Sequence, residues 1–240
     1  GKIRHYSHFG TGNFNEKTAK IYTDLSLFTC NEEMALEGIQ VFDMIQNPYR
    51  KYRFNHLQVS PVNSRSKIQS LIRQEIQRST EGCFARITIK INNIVDQELI
   101  DDLYRASQAG VKIRAIVRGM CALIPGVKGL SENIEIISIV DRFLEHPRIM
   151  VFENGGDKKV YISSADWMTR NMDYRIEVGC PVYSEDAKQM IVDLLELQFQ
   201  DTLKARVIDA EQTNQYVKRG NRRKLRSQIQ THHYLTQREE

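Results

Sequence analysis

Residues 83–117, CFARITIKINNIVDQELIDDLYRASQAGVKIRAIV, decide the fold class. Apolar and polar side chains alternate over 85–91, which is the period-two pattern of a β-strand. Residues 96–109 have helical spacing and end at Gly110, a residue suited to the position just after a helix. Residues 111–117 are again apolar. The stretch therefore predicts a strand–helix–strand unit with a right-handed crossover and parallel strands.

The pattern continues on both sides of this unit. Before it we expect a short strand at 57–60 and a helix capped by Asn63 or Ser64. After it, the turn signal Asn154-Gly155-Gly156 predicts a hairpin. The further elements expected are strands near 134–140, 147–153, 158–163 and 176–182 and a helix over 185–201. Together they predict an α/β fold with mixed, largely parallel sheets flanked by helices.

The first 56 residues are expected to form a separate unit. Residues 18–28 predict one strand, and 33–46 a helix that ends before Pro48. The apolar side chains expected on one side of this helix are Leu36, Ile39, Val41, Phe42 and Ile45. The linker that follows places a domain boundary near His56, which divides the chain into 1–56 and 57–240.

Composition limits the class of protein. The chain has 240 residues and a formal net charge of +4, with 41% hydrophobic and 27% charged residues. Such a composition is typical of a folded globular protein. No apolar run approaches the ~20 residues that a transmembrane helix needs. The four cysteines are widely spaced and form no C-x-x-C pair, which argues against a zinc ribbon and favours reduced thiols, so we expect a cytoplasmic protein.

Positive charge is concentrated near the C-terminus. Residues 212–238 contain no Asp or Glu but seven lysines and arginines, among them Arg222 and Arg223. We expect a helix from about Asn221 onward, and the clustered charge suits an anionic partner or polymer.

Three clusters contain groups that bind phosphate. His8–Asn13 is a glycine-containing segment whose backbone amides could approach an anion, with Asn13 to orient it, although a plain turn explains it equally. Arg118 follows the 111–117 strand, at the sheet edge where α/β proteins bind ligands.

The third cluster joins a histidine to a basic residue and two hydroxyls. In Glu145-His146-Pro147-Arg148 the histidine and the arginine point the same way, because strand side chains have period two. The predicted hairpin returns through Ser163-Ser164-Ala165-Asp166, so these groups could converge on one phosphate. A purely structural histidine remains the alternative.

Longer motifs make the chain similar to a known family over all 240 residues. They are His8-x-x-Thr11-Gly12-Asn13, Tyr22-Thr23-Asp24, Val117-Arg118-Gly119-Met120-Cys121, Arg142-Phe143-Leu144-Glu145-His146, Ser163-Ser164-Ala165-Asp166-Trp167-Met168 and Arg219-Gly220-Asn221-Arg222-Arg223-Lys224. In these motifs the chain resembles the C-terminal part of long-form (type 1) polyphosphate kinases.

The resemblance implies a reaction and a fold. The family transfers the γ-phosphoryl group of ATP reversibly to polyphosphate through a phosphohistidine, with ATP, ADP and polyphosphate as partners. Its C-terminal half consists of two phospholipase-D-like domains. Residues 1–56 then correspond to the end of the first domain and 57–240 to the second with its basic tail. The resemblance also implies a homo-oligomer for the full-length protein. It implies a cytoplasmic location, either free or with peripheral membrane association.

The resemblance also assigns residues. Tyr22, Arg118 and His146 correspond to the ATP-contacting residues, with His146 on the leaving-group side. The further residues expected to contact phosphate or polyphosphate are Asn13, Arg148, Ser164, Arg222 and Arg223. The phosphorylated histidine and the Mg²⁺ ligands of the family lie upstream of the matched segment, so the 240-residue chain alone is expected to be inactive.

Two other functions stay open. A phospholipase-D-type phosphodiesterase or nuclease would favour a standard H-x-K motif, where this chain has Arg148. A basic nucleic-acid-binding module would favour aromatic residues among the charges, and 218–226 has none, so nucleic acid is the less favoured partner.

Overall fold

The computed structural model describes residues 3–239, which contain six helices and twelve strands. The helices are Glu16–Ala19 (α1), Glu32–Gln46 (α2), Ser64–Thr80 (α3), Gln97–Gln108 (α4), Glu185–Phe199 (α5) and Ser227–Glu239 (α6). The strands are Ser7–Gly10 (β1), Tyr22–Thr23 (β2), Ser26–Thr29 (β3), Gln58–Ser60 (β4), Arg86–Ile91 (β5), Lys112–Val117 (β6), Ile134–Ile139 (β7), Leu144–Glu145 (β8), Arg148–Phe152 (β9), Lys159–Ser163 (β10), Glu177–Val182 (β11) and Ala205–Ile208 (β12).

One mixed sheet of eight strands organises the chain, in the order β12-β7-β6-β5-β9-β10-β11-β4. The expected parallel pairing is present between β5 and β6 and continues to β7. The five other pairings in this sheet are antiparallel, including the expected β9–β10 hairpin. The mixed α/β class is therefore confirmed, although parallel pairing is limited to one part of the sheet.

Helices cover both faces of this sheet. On one face, α3 and α4 bury Ile72 and Leu103 against Ile87 and Ile89 of β5. On the other face, α2 and α5 pack against the sheet in a second apolar cluster that includes Ile116. Because both faces are covered, two polar side chains of β5 are buried as well: Thr88 is only 6% exposed and Lys90 only 5%.

The buried face of α2 differs from the expected one. Leu36, Ile39, Phe42 and Ile45 are exposed, whereas a neighbouring face packs into the core through Met34, Ala35, Val41 and Met44. That face also carries Glu37, which is buried because its carboxylate accepts hydrogen bonds from the backbone amides of Asn55, His56 and Leu57. A charged residue in the buried face explains why the apolar pattern misled the prediction.

Two other expectations are corrected. Residues 18–28 do not form one strand, because Asn15 caps the short helix α1 and the chain then turns between β2 and β3. The C-terminal helix begins at Ser227 instead of Asn221. The preceding basic segment is irregular and is fixed by Thr202, whose hydroxyl donates to the carbonyl of Arg223 and accepts from the amide of Leu225. No helix within residues 3–239 is both long and apolar enough to cross a membrane.

Candidate active site

The candidate site lies at the edge of the sheet where β5 and β6 end and β9 begins. Strands β5 and β6 are parallel, so their carboxyl ends lie side by side. Strand β9 runs antiparallel to β5, which brings its first residue, Arg148, to the same edge. This topology places Arg118, His146 and Arg148 at one edge of the sheet, where the sequence predicted Arg118 alone.

A two-stranded parallel sheet fixes His146 beside Tyr22. Strand β2 pairs with β8, and the His146 amide continues the pairing by donating to the Thr23 carbonyl at 3.0 Å. The rings of Tyr22 and His146 are consequently 4.4 Å apart between centroids and tilted by 33°. Two of the residues expected to contact ATP are thus in direct contact with each other.

Asp24 orients the His146 ring. Its carboxylate lies 3.0 Å from His146 Nδ1, whereas Arg148 Nη1 lies near both ring nitrogens, 2.8 Å from Nε2 and 3.2 Å from Nδ1. Because the Asp24 carboxylate can only accept, this geometry assigns the proton of a neutral ring to Nδ1 and the lone pair to Nε2. Nε2 is then the atom that can accept or deliver a proton.

The Thr11-Gly12 segment holds Asp24 in turn. The Thr11 hydroxyl donates to Asp24 Oδ1 at 2.8 Å and accepts from the Leu25 amide at 3.0 Å. Gly12 lies so close that an added Cβ would be 2.3 Å from Asp24 Oδ2. Glycine is therefore needed at position 12 for close approach to the carboxylate, which is a stronger requirement than the plain-turn alternative supposes.

Arg148 is held by Asp166 as well as by its contacts with His146. Its guanidinium donates to both carboxylate oxygens of Asp166, at 3.2 and 3.3 Å, and to the Thr11 carbonyl at 3.0 Å. Burial opposes ionisation of Asp166, but the Arg148 hydrogen bond and charge, together with the Asn93 amide, outweigh it and lower its pKa. Arg148 is thereby pre-positioned beside His146 Nε2.

A polar cleft of about 260 Å³ opens in front of these groups. His146, Arg148 and Asn13, three of the residues expected to contact ATP or phosphate, line this cleft. Arg170 and Arg175 add two exposed guanidinium groups, neither of which forms a salt bridge within the described part of the chain. The cleft is consequently suited to a polyanion of the size of a di- or triphosphate.

Ser164 also lines the cleft, but its hydroxyl already has partners. It donates to the Glu177 carboxylate and accepts from the Val178 amide at 3.1 Å. Glu177 accepts a second hydrogen bond from Asn171 Nδ2 at 2.6 Å. In this structure the Ser164 hydroxyl therefore positions Glu177, and its predicted contact with phosphate stays a prediction.

Arg118 lies next to His146 through one intermediate residue. Its Nε atom donates to Asn92 Oδ1 at 3.0 Å, and Asn92 Nδ2 lies 3.4 Å from the His146 carbonyl. Gly119 permits this approach, because an added Cβ there would lie 2.8 Å from the Asn92 carbonyl oxygen.

The basic tail is not part of this cleft. Arg222 lines a different groove beside β7 and β12, where Glu135 and Glu211 also lie, and its guanidinium donates to backbone carbonyls of Lys218 and Arg219. Arg223 is exposed and does not line the cleft either, so polyphosphate binding by these two arginines stays a prediction.

Sequence reasoning missed three contributors. The role of Asp24 depends on a contact across 122 residues, which no local spacing reveals. Arg170 begins a π-helical turn, Arg170–Tyr174, and Arg175 follows it; neither arginine belonged to a recognisable motif. Within residues 3–239 no group of three or more His, Cys, Asp or Glu side chains is placed to hold a metal ion.

Comparison with known proteins identifies the family. Residues 1–51 match the model for polyphosphate kinase C-terminal domain 1, and residues 57–228 match that for C-terminal domain 2. The chain is 60% identical to the polyphosphate kinase of Vibrio cholerae over 230 residues, which are 96% of this chain and 33% of that protein. It is 53% identical over 235 residues to that of Escherichia coli K12, covering 98% of this chain and 34% of the relative.

A solved structure agrees with this assignment. The crystal structure of polyphosphate kinase from Porphyromonas gingivalis superposes with a TM-score of 0.94 at 39% identity, over 98% of this chain and 36% of that one. The chain thus spans about a third of the length of the relatives that it matches. With its two C-terminal domain matches, the chain belongs to the polyphosphate kinase family.

Proposed function

We propose that this chain provides the nucleotide-binding side of a polyphosphate kinase, with the phosphates of ATP in the cleft around His146. The observation that carries the proposal is the arrangement of His146 between Tyr22, Asp24 and Arg148, beneath two arginines without salt-bridge partners in the described chain. The names of the relatives support this substrate class.

The proposed reaction moves one phosphoryl group in two steps. The bond between the γ-phosphorus and the bridging oxygen of ATP breaks as a bond to a histidine nitrogen forms, and ADP leaves. The phosphorus–nitrogen bond then breaks as the terminal oxygen of polyphosphate attacks. We place that histidine outside residues 1–240, as the family resemblance implies, and the same steps in reverse make ATP.

The residues of this chain act on charge and position. Phosphoryl transfer depends chiefly on in-line placement and on stabilising the equatorial oxygens. Arg118, Arg170 and Arg175 are the groups proposed to bind those oxygens, while Tyr22 contacts the nucleotide. When protonated at Nε2, His146 donates to the oxygen that becomes the ADP terminus, and the Asp24 carboxylate stabilises the resulting imidazolium.

Arg148 has a different role in this proposal. Its bidentate pair with Asp166 and its contact with Nε2 make it a partner of His146 in the free enzyme. An incoming phosphate replaces the Arg148–Nε2 contact with two favourable ones, because both Arg148 and a protonated His146 can donate to it. Mg²⁺ would add charge neutralisation from ligands outside this chain, and we derive no step through it. Homo-oligomer formation and peripheral membrane contact remain predictions.

Substitution of His146 tests the proposal in the full-length protein. His146→Ala should lower kcat for polyphosphate synthesis by about 10²–10⁴-fold, the range for general acid–base catalysis, with a smaller effect on KM for ATP. His56→Ala is the control, because His56 pairs with Glu33 away from the cleft. A decrease below about tenfold would return His146 to a structural role.

A further inference from the structure

The segment that carries His146 is held from behind by the C-terminal helix. The Gln228 side chain accepts a hydrogen bond from the Phe143 amide at 2.9 Å and donates to the Phe143 carbonyl at 2.9 Å. Its Nε2 atom also donates to Glu145 Oε1 at 2.9 Å. One side-chain amide therefore binds the backbone of Phe143, directly before β8, and the side chain of Glu145, directly before His146.

The second oxygen of Glu145 is fixed by buried partners. Lys90 Nζ donates to Glu145 Oε2 at 2.5 Å and to Gln198 Oε1 at 2.7 Å. Gln198 Nε2 completes the network by donating to the same Glu145 oxygen at 2.9 Å. Lys90, Gln198 and Gln228 are each less than 9% exposed, so the geometry of the network is strongly constrained.

Packing alone does not fix this segment. A largely apolar cavity of about 220 Å³ is lined by residues of the network and by Phe143, Pro147, Leu194 and Leu235. Hydrogen bonds to Gln228 and Glu145 therefore determine the position of residues 143–146 on this side.

Helix α6 is itself firmly attached to the rest of the chain. The Ser227 amide donates to the buried Asp201 carboxylate at 2.7 Å, and Arg226 forms a bidentate pair with Asp141. Further along the helix, the Tyr234 hydroxyl donates to Asp193 at 2.7 Å. Gln228 thus connects a fixed helix to the segment that presents His146.

We propose that Gln228 is a positioning residue for phosphoryl transfer, acting on His146 through Phe143 and Glu145. This inference rests on the proposed function of His146 but concerns a residue outside the cleft. It assigns the C-terminal helix a role in the geometry of the reaction, since a displacement of about 1 Å at a reacting group can cost 10²-fold in rate.

Gln228→Met in the full-length protein tests the inference. Methionine fills nearly the same volume but makes none of the three hydrogen bonds, so kcat should fall by about ten- to a hundredfold while KM for ATP changes by a smaller factor. Gln230→Met is the matched control, as the same change two residues along α6 at a side chain outside the network.

Histidine NMR provides a readout that does not depend on activity. In ¹³C-histidine-labelled protein, Gln228→Met should shift the ring signals of His146, assigned by their loss in His146→Ala, and leave those of His56 unchanged. Gln230→Met should shift neither. If the wild-type protein makes no polyphosphate, the proposed function fails, and the NMR comparison still decides whether Gln228 positions His146.

An unchanged kcat in Gln228→Met would overturn the inference. Equal losses of kcat in Gln228→Met and Gln230→Met would overturn it as well. If Gln228→Met does not fold, Glu145→Gln tests the other attachment. That variant keeps the acceptor for Gln228 but neutralises the partner of Lys90, and it should lower kcat and shift the His146 signals in the same direction. Unchanged signals and kcat in Glu145→Gln would equally overturn the inference.

Discussion

His146 Nδ1 lies 3.0 Å from Asp24 Oδ1, and this contact joins the two parts of the chain that form the candidate site. Asp24 belongs to the N-terminal 56 residues and follows β2, whereas His146 precedes β9 of the large sheet. The pairing of Tyr22 with Leu144 brings the two residues together. The orientation of the histidine is therefore set by residues from both segments matched by the family models.

Replacing Asp24 should impair the reaction more than substrate binding. In Asp24→Asn the side chain keeps its size but cannot stabilise a charged imidazole, so kcat of the full-length protein should fall by about tenfold or more with little change in KM for ATP. Steady-state kinetics at saturating polyphosphate measure both quantities. Glu32→Gln removes a similar contact, 2.8 Å from His5 Nδ1, and should have no effect. An unaltered kcat in Asp24→Asn would contradict the orienting role.

Gly12 offers a test that leaves every charged residue of the sequence in place. In Gly12→Ala the new methyl group must displace the Asp24 carboxylate, since its Cβ would lie 2.3 Å from Oδ2. We expect a kcat close to that of Asp24→Asn. Gly38→Ala is the control, because that position lies in α2 with 3.8 Å to the nearest side-chain atom and alanine there should stabilise the helix by up to about 1 kcal/mol. Wild-type kcat in Gly12→Ala would show that the close approach is not needed.

Local patterns predicted those parts of the molecule that depend on neighbouring residues. The strand–helix–strand unit of 83–117 and the hairpin at Asn154 follow from side-chain period and turn chemistry, and both are present. The face of α2 was not predictable in this way, because Glu37 is buried by amides 18 to 20 residues away. The grouping of Tyr22 with His146 came from family resemblance, since the contact joins a residue of the first domain match to one of the second.

Asp201 should make the protein sensitive to acid. Burial opposes its ionisation, but hydrogen bonds from the Ser227 and Lys204 amides outweigh burial and lower its pKa. A lowered pKa in the folded state adds stability above the unfolded value of about 3.9, and this is lost as pH falls through the folded pKa.

Asp201→Asn should therefore destabilise the protein by about 1.5–3 kcal/mol at pH 7, the range for hydrogen bonds to a charged group. The difference from wild type should begin to shrink below about pH 4, where the carboxylate of the unfolded chain protonates, and disappear below the lower pKa of the folded state. Urea unfolding at the two pH values measures this, with Asp157→Asn, whose side chain is 84% exposed, as the control. A difference that does not depend on pH would mean that the charge of Asp201 contributes nothing.

Two pairs of arginines offer two candidate binding surfaces for polyphosphate. Arg170 and Arg175 line the His146 cleft, whereas Arg222 lies in the groove beside β12. If the cleft holds the polymer, Arg170→Ala with Arg175→Ala should weaken binding of long-chain polyphosphate. It should also flatten the slope of log affinity against log salt by roughly 0.7–0.9 per arginine, by analogy with nucleic acids.

Arg222→Ala with Arg223→Ala is the matched double variant, equal in charge change. The sequence predicts that it also flattens the slope while ATP binding at Tyr22 and Arg118 is retained, since clustered positive charge attracts a polyanion. The alternative is a tail that only supports the fold, because the Arg223 carbonyl accepts from Thr202 and Arg222 donates to neighbouring carbonyls. That alternative predicts a lower Tm and an unchanged salt slope.

Polyphosphate affinity measured from 50 to 200 mM salt separates these two explanations of the tail. Over this range about 10³–10⁵ in affinity is lost for six to ten phosphate contacts. An unchanged slope in this variant would exclude the tail from the polyphosphate path, and an unchanged slope in both would place the polymer outside this chain.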